Sequence, residues 1–362
     1  MVMRYQSTRI LIIRLGSIGD VVRTLPALRT IRQESPSAYI AWLVEEKARD
    51  ILEGHPDLDR VIVFPREKIV RGFSNPFTCL QTLALPLRFV SEIKKMKFDL
   101  VLDFHGILKS GLIAFFSGAS NRVGFSRGYC QEMNYIFNNR HINPGDRRLN
   151  RIEKNLKLLS VLGIGVEELD PSIPITRDDC EKIDDFFLRN MAHDHHPLIA
   201  IHPGTSPSTP YKRWNEERYA RLADSLIEDY QAKAVLTWGP DELATVNTIA
   251  GLMKHPPIIA FEMDNLRQLA EIFRRCDLYV GSDTGPMHIA ASVRTPVVAI
   301  FGPTDHVVNA PSRKNQNIIV RSDVACSPCR EYCCPDRTCM KAVSLDAVRE
   351  AVVTLLDLHT MN

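Results

Sequence analysis

The chain has 362 residues, 24% of them charged, and a formal net charge of only +2. This length exceeds what one core usually covers and predicts two domains. The sequence shows no apolar run near the roughly 20 residues that span a bilayer. Arg14 interrupts the first apolar run, which argues against a signal peptide, so we expect a cytoplasmic protein. We expect no nucleic-acid partner.

The charge is divided unevenly between the two halves. Residues 1–175 carry 25 Lys and Arg against 18 Asp and Glu, whereas the remainder carries 20 against 25. The front half therefore either binds an acidic ligand or has an uneven distribution of surface charge with no functional meaning.

Short apolar strands alternate with helical stretches along the front half. Strands are predicted at residues 9–15, 38–44, 60–64 and 98–104, and helices at 20–34 and 107–118. Residues 66–97 interrupt this rhythm with seven basic and two acidic residues. They form either a segment that rests on an anionic membrane or a surface helix with an apolar face on the core.

The alternation restarts after a Pro-punctuated stretch at residues 169–176. Strands are predicted at 198–204, 233–239, 257–262, 277–283 and 296–302, and helices at 178–190, 215–230, 241–253, 265–276, 286–292 and 344–359. This pattern predicts two α/β domains with parallel sheets, at residues 1–175 and 176–362. Such domains bind ligands at the carboxyl ends of their strands and in the cleft between them.

The first motif, "RLGSIGD", follows the first predicted strand. Gly16 and Gly19 permit a tight turn that brings backbone close to a ligand. Asp20 is either a helix cap or a carboxylate held at the top of the sheet. The G-x-x-G-D spacing departs from the dinucleotide fingerprint G-x-G-x-x-G, which disfavours a nicotinamide-dependent oxidoreductase.

Three further motifs follow strands of the second half. "HPGTSPSTPYKRW" offers hydroxyls, free N–H groups and Lys212, which suit a phosphate. "WGPDE" places acidic residues where they either accept bonds from a ribose diol or cap a helix. In "GSDTGPMHIAAS", Gly285 lets backbone amides approach an anion, and Thr284 and His288 add donors, while Asp283 orients N–H groups or meets a sugar hydroxyl.

These four motifs, in this order, resemble the heptosyltransferase group of glycosyltransferases, glycosyltransferase family 9, over nearly the whole chain. The run "DTGPMH" is the most specific element and "RLGSIGD" the next. The resemblance implies an α/β GT-B fold of two Rossmann-like domains, the first for the acceptor and the second for a nucleotide-sugar, typically ADP-heptose. It also implies inverting transfer with no catalytic metal or other cofactor.

The resemblance assigns site residues as well. Asp20 becomes the general base. The donor-binding residues that it implies are Thr205, Ser206, Lys212, Glu242, Met263, Asp283, Thr284, Gly285 and His288. The acceptor-binding residues are Gly16, Ser17, Gly19 and Lys109, with Arg122, Arg127, Arg147 and Arg148 as further anion contacts.

The family's acceptors are anionic, lipid-linked precursors of the lipopolysaccharide core. The resemblance therefore implies a peripheral position at the cytoplasmic face of the inner membrane. Two alternatives stay open: a related glycosyltransferase that uses another nucleotide-sugar for capsule or O-antigen, and a nonenzymatic nucleotide-binding protein.

Five cysteines crowd into "CSPCREYCCPDRTC". Their spacing is C-x₂-C-x₃-C-C-x₄-C. The opening C-x₂-C is typical of a structural zinc site, but the second pair is not C-x₂-C and one cysteine is left over. We expect a local staple, by zinc or by a disulfide, formed among Cys326, Cys329, Cys333, Cys334 and Cys339.

Overall fold

The computed structural model describes residues 8–73, 79–163, 170–190, 196–329, 331 and 334–360. The chain divides into two compact units between Pro174 and Ile175. Each unit is an α/β domain built around one six-stranded sheet.

The sheet of the N-terminal unit is parallel throughout, with the order β3-β2-β1-β4-β5-β6. Its strands are β1 (Arg9–Ile13), β2 (Tyr39–Glu45), β3 (Arg60–Phe64), β4 (Leu100–Asp103), β5 (Asn121–Phe125) and β6 (Arg140–Ile142). Its helices are α1 (Ile18–Val22), α2 (Leu25–Glu34), α3 (Arg66–Phe73), α4 (Cys79–Lys95), α5 (Leu108–Phe116) and α6 (Arg151–Leu158). Short 3₁₀ helices lie at Glu46–Ile51, Asn134–Ile136 and Leu159–Leu162.

The sheet of the C-terminal unit repeats this order, as β12-β11-β10-β7-β8-β9, again with parallel strands. Its strands are β7 (Leu198–His202), β8 (Lys233–Leu236), β9 (Ile258–Ile259), β10 (Leu278–Ser282), β11 (Val297–Phe301) and β12 (Asn317–Arg321). Its helices are α7 (Arg177–Arg189), α8 (Glu216–Tyr230), α9 (Leu243–Leu252), α10 (Leu266–Arg275), α11 (Gly285–Ser292), α12 (Thr338–Lys341) and α13 (Leu345–Thr360). A 3₁₀ turn covers Pro210–Lys212.

Continuous apolar strands explain why both sheets are parallel and covered on two faces. The strands β10 and β11 are buried at every residue, and β1 at every residue after its first. Helices pack over them with their own apolar faces; in α4, for example, Phe89 and Ile93 are buried in the core. The second half of residues 66–97 is thus a helix with an apolar core face, whereas residues 74–78 lie outside the described part.

The sequence did not predict β5, β6 or β12, and it predicted β9 longer than its two residues. These strands are short and carry polar residues, as in "NRVGF" and "RHI". They lie toward the edges of the sheets, where burial does not demand a continuous apolar run.

None of the helices in the described ranges combines the length and the apolar character needed to cross a membrane.

Candidate functional site

Three of the four predicted motifs lie at the point in each sheet where the strand order reverses, and the fourth, "WGPDE", follows the neighbouring strand β8. In the N-terminal unit β1 lies beside β4, and in the C-terminal unit β7 lies beside β10. The carboxyl ends of such neighbouring strands leave a crevice between their diverging loops, which is where open parallel sheets bind ligands. "RLGSIGD" follows β1, "HPGTS" follows β7 and "DTGPMH" follows β10.

Asp20 lies in the first turn of α1, and three arginines surround its carboxylate. Its Oδ2 lies 2.5 Å from Nη2 of Arg14, and its Oδ1 lies 2.5 Å from Nη2 of Arg23 and 3.2 Å from Nη1 of Arg151. The N-cap residue of α1 is Ser17, whose hydroxyl lies 3.3 Å from Oδ2 of Asp20. Asp20 therefore serves as a carboxylate at the top of the sheet and not as a helix cap.

The environment of Asp20 keeps it ionised. Burial alone would raise the pKa of this carboxyl, but the charges of Arg14, Arg23 and Arg151 outweigh burial and hold the pKa well below its usual range. Gly19 takes part in the same arrangement because its carbonyl accepts a hydrogen bond of 3.2 Å from Nε of Arg23.

A second carboxylate, Asp103, shapes the loop after β4. Its oxygens accept hydrogen bonds from the backbone N–H groups of His105 and Gly106, from the hydroxyl of Ser110 and from the amide of Asn134, over 2.6–3.1 Å. Burial raises the pKa of Asp103. This network fixes the loop that presents His105 and Lys109.

Lys109 lies at the same edge of the sheet and is paired. Its Nζ is 2.6 Å from Oε1 of Glu45 at the end of β2, and Arg66 lies 3.1 Å from the other oxygen of Glu45. Gly16 lies close by, because a Cβ built on it would be 4.0 Å from Glu45. Of the looser candidates, Arg122 donates to the backbone carbonyls of Phe137 and Ala119, which ties it to the fold.

Sequence reasoning missed four residues around Asp20: Arg14, Arg23, His105 and Arg151. Arg14 carries a detectable signal, because it opens the motif that contains Asp20. Arg151 carries none, since it lies 131 residues away in the chain and reaches Asp20 only through the fold.

The ion pair between Lys212 and Asp283 is the centre of the C-terminal constellation. Lys212 Nζ lies 2.9 Å from Oδ2 of Asp283 and 3.0 Å from its backbone oxygen. His288 Nε2 is 4.0 Å from Oδ1 of Asp283. Burial would raise the pKa of Asp283, but the charges of Lys212 and His288 lower it overall, so the carboxylate orients a lysine.

The amino end of α11 lies beside this pair. Thr284 is the N-cap residue and Gly285 begins the helix, with Pro286 in the first turn. The first N–H groups of a helix have no intrahelical acceptor and carry a partial positive charge. An anion at the carboxyl end of β10 would therefore meet backbone donors as well as Lys212 and His288.

Glu242 is buried at the N-cap position of α9 instead of projecting into solvent. Its Oε2 accepts from the backbone N–H of Gly239 at 2.7 Å and lies 3.3 Å from Nε2 of His202. Hydrogen bonding and charge from His202 offset burial, so that the pKa of Glu242 is lowered overall. Its carboxyl group occupies the space where a Cβ would stand at Gly204.

The remaining predicted donor residues differ in exposure. Thr205 is buried, and its hydroxyl accepts from Nε of Arg213 at 3.1 Å. Ser206 is exposed and pairs with the hydroxyl of Ser208 at 2.7 Å. Met263 is half-buried in the segment between β9 and α10.

The described cysteines of the cluster do not form a metal centre. Cys326, Cys329, Cys334 and Cys339 are free thiols, and Cys333 lies outside the described residues. Over the described ranges, no group of three or more His, Cys, Asp or Glu side chains is placed to hold a metal ion. The predicted zinc site is therefore unsupported, and no disulfide forms among the four described thiols.

A surface cavity of about 560 Å³ lies in the C-terminal unit, but it does not belong to this site. It is lined by residues such as Lys233, Ala234 and Ile258, which begin β8 and β9. It therefore opens at the amino ends of the strands, at the edge of the sheet opposite the motifs.

Comparison with known proteins agrees with this geometry. The family model described as glycosyltransferase family 9 (heptosyltransferase) matches residues 87–339. The chain is 27% identical over 332 residues to lipopolysaccharide heptosyltransferase 1 of Pseudomonas aeruginosa, covering 90% of this chain and 87% of that protein.

Two solved structures show the same fold. A glycosyl transferase family 9 protein from Veillonella parvula superposes with a TM-score of 0.79 at 24% identity and 98% coverage of both chains. The E. coli heptosyltransferase WaaC with ADP-2-deoxy-2-fluoro heptose superposes with a TM-score of 0.73 at 22% identity, over 96% of this chain and 99% of that one.

Proposed function

Since the chain belongs to glycosyltransferase family 9 and is a glycosyltransferase of the GT-B fold, we propose that it transfers heptose from ADP-heptose to a lipopolysaccharide core acceptor. The observation that carries this proposal is the pair of constellations at the strand-order reversals of the two sheets. One offers an ionised carboxylate, Asp20, and the other offers donors for an anion around Lys212 and α11.

The proposed reaction assigns the acceptor to the N-terminal unit and the donor to the C-terminal unit. The acceptor hydroxyl oxygen forms a bond to the anomeric carbon, on the face opposite the diphosphate, so the configuration inverts. The bond from that carbon to the phosphate oxygen breaks, and its electron pair leaves with ADP. Asp20 takes the hydroxyl proton as general base.

The charge that develops on the departing ADP needs donors already in place. Lys212 supplies a cation held by Asp283, and the amino end of α11 supplies backbone N–H groups from Thr284 and Gly285. His288 adds an imidazole from the same helix. With these groups as the stabilising charges, the mechanism assigns no step to a metal ion.

The other donor contacts follow from their place around β7 to β9. Glu242 accepts hydrogen bonds from the two hydroxyls of the ribose diol. Thr205 and Ser206 lie in the hydroxyl-bearing loop that follows β7. Met263 packs on the adenine from the segment before α10. On the acceptor side, Gly16, Ser17 and Gly19 form the turn under the reacting hydroxyl, and Lys109 meets an anionic group of the acceptor.

Turnover with a panel of donors tests the proposal. ADP-heptose with a lipid A–Kdo acceptor is expected to release ADP, with or without a chelator. Other nucleotide-sugars are expected to release their nucleotide far more slowly. Faster turnover with another nucleotide-sugar would transfer the assignment to capsule or O-antigen synthesis, and ADP binding without turnover on any acceptor would point to a nonenzymatic protein.

We also propose that the protein works at the cytoplasmic face of the inner membrane, through an apolar surface on the N-terminal unit. This surface, the α5 surface, consists of Leu108, Phe115, Phe116, Met133 and Ile136, which are 40–60% exposed. The guanidinium of Arg122 lies 5.5 Å above the ring of Phe115, so a cation borders the apolar side chains. Apolar insertion beside basic residues is how peripheral proteins bind anionic lipid.

Co-sedimentation with vesicles of anionic phospholipid tests this location. The double variant Phe116→Ser, Ile136→Ser is expected to lose most vesicle binding. Leu188→Ser removes an apolar residue of α7 that is even more exposed, at 67%, and is the control. Equal binding by wild type and the double variant would exclude the α5 surface as the lipid contact.

A further inference from the structure

Three arginine side chains contact the one carboxylate of Asp20, so cations outnumber anions in this cluster. They are Arg14, Arg23 and Arg151. Lys154, one turn along α6 from Arg151, donates to the backbone oxygen of Tyr129 at 2.7 Å and is not paired with Asp20.

The titration of the neighbouring groups reflects the same excess. Burial, followed by the charges of Arg151 and Arg14, lowers the pKa of Lys154 to about 8. Burial, followed by the charge of Arg14, lowers the pKa of His105 to about 4, so its imidazole is neutral at pH 7. A second anion beside Asp20 would relieve this repulsion.

Three nitrogens at this place have no hydrogen-bond partner among the described residues. They are Nε of Arg14, Nε of Arg151 and Nδ1 of His105, and all three are buried. An unpaired buried donor costs free energy, and such donors are normally paired in a completed site. The three belong together, because Nη1 of Arg14 donates at 2.7 Å to the carbonyl of Phe104, the residue before His105.

The arginines differ in how firmly they are held. Arg14 is fixed by the Phe104 carbonyl, and Arg23 by the carbonyl of Gly19. Among the described residues, the side chain of Arg151 hydrogen-bonds only to Asp20, and it is 33% exposed, against 9% and 7% for the side chains of Arg14 and Arg23. Arg151 is thus the guanidinium that can most readily exchange its partner.

We propose that Arg14, Arg151 and His105 form a subsite for an oxyanion of the acceptor, a carboxylate or a phosphate, and that this oxyanion replaces Asp20 as the partner of Arg151. The inference rests on the proposed function and deepens it. The two Nε atoms and Nδ1 of His105, in the tautomer with its proton on Nδ1, supply the donors, and a planar guanidinium suits an oxyanion well.

The exchange would make the carboxylate of Asp20 more basic. Oδ1 of Asp20 now accepts from both Arg23 and Arg151. When Arg151 turns to the acceptor's oxyanion, Oδ1 loses one of these donors and becomes more basic. The acceptor hydroxyl can then give its proton to Oδ1, so that Asp20 becomes a competent base only when an acceptor with the correct anion is bound.

A cycle that combines an Arg151 variant with altered acceptors tests the subsite. Arg151→Gln is expected to raise the acceptor KM by about tenfold or more and to leave the donor KM within about twofold, as loss of a charge-assisted hydrogen bond would. Arg60→Gln alters an exposed arginine at the start of β3 and is the matched control, with both KM values unchanged.

The altered acceptors identify which anion binds. One has its carboxylates converted to amides and the other has its phosphates removed. The change that removes the correct anion should raise the wild-type KM strongly and the Arg151→Gln value much less, because the variant has already lost one of the contacts to that anion. Additive effects of Arg151→Gln with both acceptors would overturn the subsite. A wild-type enzyme with no turnover would instead overturn the proposed function.

The loss of the Arg151 contact by Asp20 can be measured in the wild-type enzyme, through the pKa of Asp20. Carbon-13 NMR of wild-type enzyme labelled at the aspartate carboxyl carbons, with ADP and acceptor bound, follows the titration of Asp20, which Asp20→Asn identifies by the loss of its signal. The Asp20 pKa is expected to rise by at least about one unit when acceptor saturates the enzyme. An unchanged titration with acceptor bound would contradict the exchange.

Discussion

At the scale of single residues, the surroundings of Asp20 have two opposite effects on its proposed role as a general base. It is ionised at every physiological pH, because three arginines hold its pKa well below the usual range. The same arginines occupy its oxygens and weaken it as a proton acceptor. The proposed exchange of Arg151 on acceptor binding would resolve this conflict.

Replacing Asp20 by asparagine should abolish its role as base. Asp20→Asn is expected to lower turnover by about 10²-fold or more, because an amide cannot take the proton, while ADP affinity is unchanged. Asp59→Asn is the control, since Asp59 also pairs with an arginine, Arg32 at 2.7 Å, but lies at the amino end of the sheet. Turnover within a few fold of wild type would show that another group is the base.

Lys212 offers a test of the donor site. Lys212→Ala is expected to weaken ADP binding by about 1.5–3 kcal/mol, the range for hydrogen bonds to charged groups. Lys182→Ala removes an exposed lysine that pairs with Asp178 and Asp264, and it should leave the affinity unchanged. Calorimetry measures both, and equal affinity in Lys212→Ala would remove Lys212 from the diphosphate site.

Position 204 needs a glycine because the side chain of Glu242 fills the space of a Cβ, and not because its backbone conformation excludes other residues. The carboxylate of Glu242 occupies the place of a Cβ at Gly204, so Gly204→Ala should push it away from the backbone N–H of Gly239 and leave the fold intact. We expect ADP affinity to fall about tenfold, as for one lost hydrogen bond to a charged group.

The control for this glycine lies in α9. Gly251→Ala meets no neighbour within 4 Å, and alanine favours the helix, so the melting temperature should rise slightly with ADP affinity unchanged. Equal ADP affinity in Gly204→Ala and wild type would show that Glu242 does not contact the nucleotide.

At the scale of elements, Asp179 ties two helices of the C-terminal unit together. It completes a capping box with Thr176 at the start of α7, and it accepts from Arg267 of α10 at 2.9 Å and from Asn265 at 3.1 Å. Burial opposes ionisation, but these hydrogen bonds prevail and lower the pKa of Asp179 to about 2.

The depressed pKa predicts how stability depends on pH. An aspartate with a pKa near 4 when unfolded and about 2 when folded stabilises the protein fully above pH 4, and this contribution is lost as the pH falls through 2. Asp179→Asn is therefore expected to lower the free energy of unfolding by about 2 kcal/mol at pH 7, and by roughly half as much at pH 3. Urea unfolding at both pH values measures this difference, and a difference that grows toward pH 3 would contradict the assignment.

The elements predictable from sequence are those whose pattern is local. The strands β1, β2 and β3 and the helix α7 match their predicted bounds within two residues, because apolar runs mark the strands and helical spacing marks α7. β6 is mostly polar and is specified by the strand that it pairs with, whereas β12 carries a local apolar run, Ile318–Val320, that the prediction did not use. The turns after β1 and β10 were predicted from their glycines and carboxylates.

The partners of those carboxylates were not predictable in the same way. Arg151 meets Asp20 across 131 residues, and Lys212 meets Asp283 across 71. Lys212 was found because its own loop looks suited to phosphate, whereas nothing near Arg151 in the sequence indicates a site. Such contacts arise from the strand order and not from any local pattern.

At the scale of the whole molecule, the same strand order occurs twice, and each copy carries a different chemical role. The N-terminal unit holds a carboxylate among excess arginines, and the C-terminal unit holds a lysine and a helix amino end. The positive balance of residues 1–175 and the negative balance of the remainder agree with an anionic acceptor in the first unit. We propose that these two roles combine in one inverting transfer of heptose.

Analysis of the product tests this claim most directly. Wild-type enzyme is incubated with ADP-heptose, a lipid A–Kdo acceptor and a chelator, and the acceptor is examined by mass spectrometry and by NMR of the new glycosidic bond. We predict that the acceptor gains one heptosyl group, with the configuration at the anomeric carbon opposite to that in the donor. Retention of the donor's configuration, or release of free heptose with an unmodified acceptor, would contradict the account.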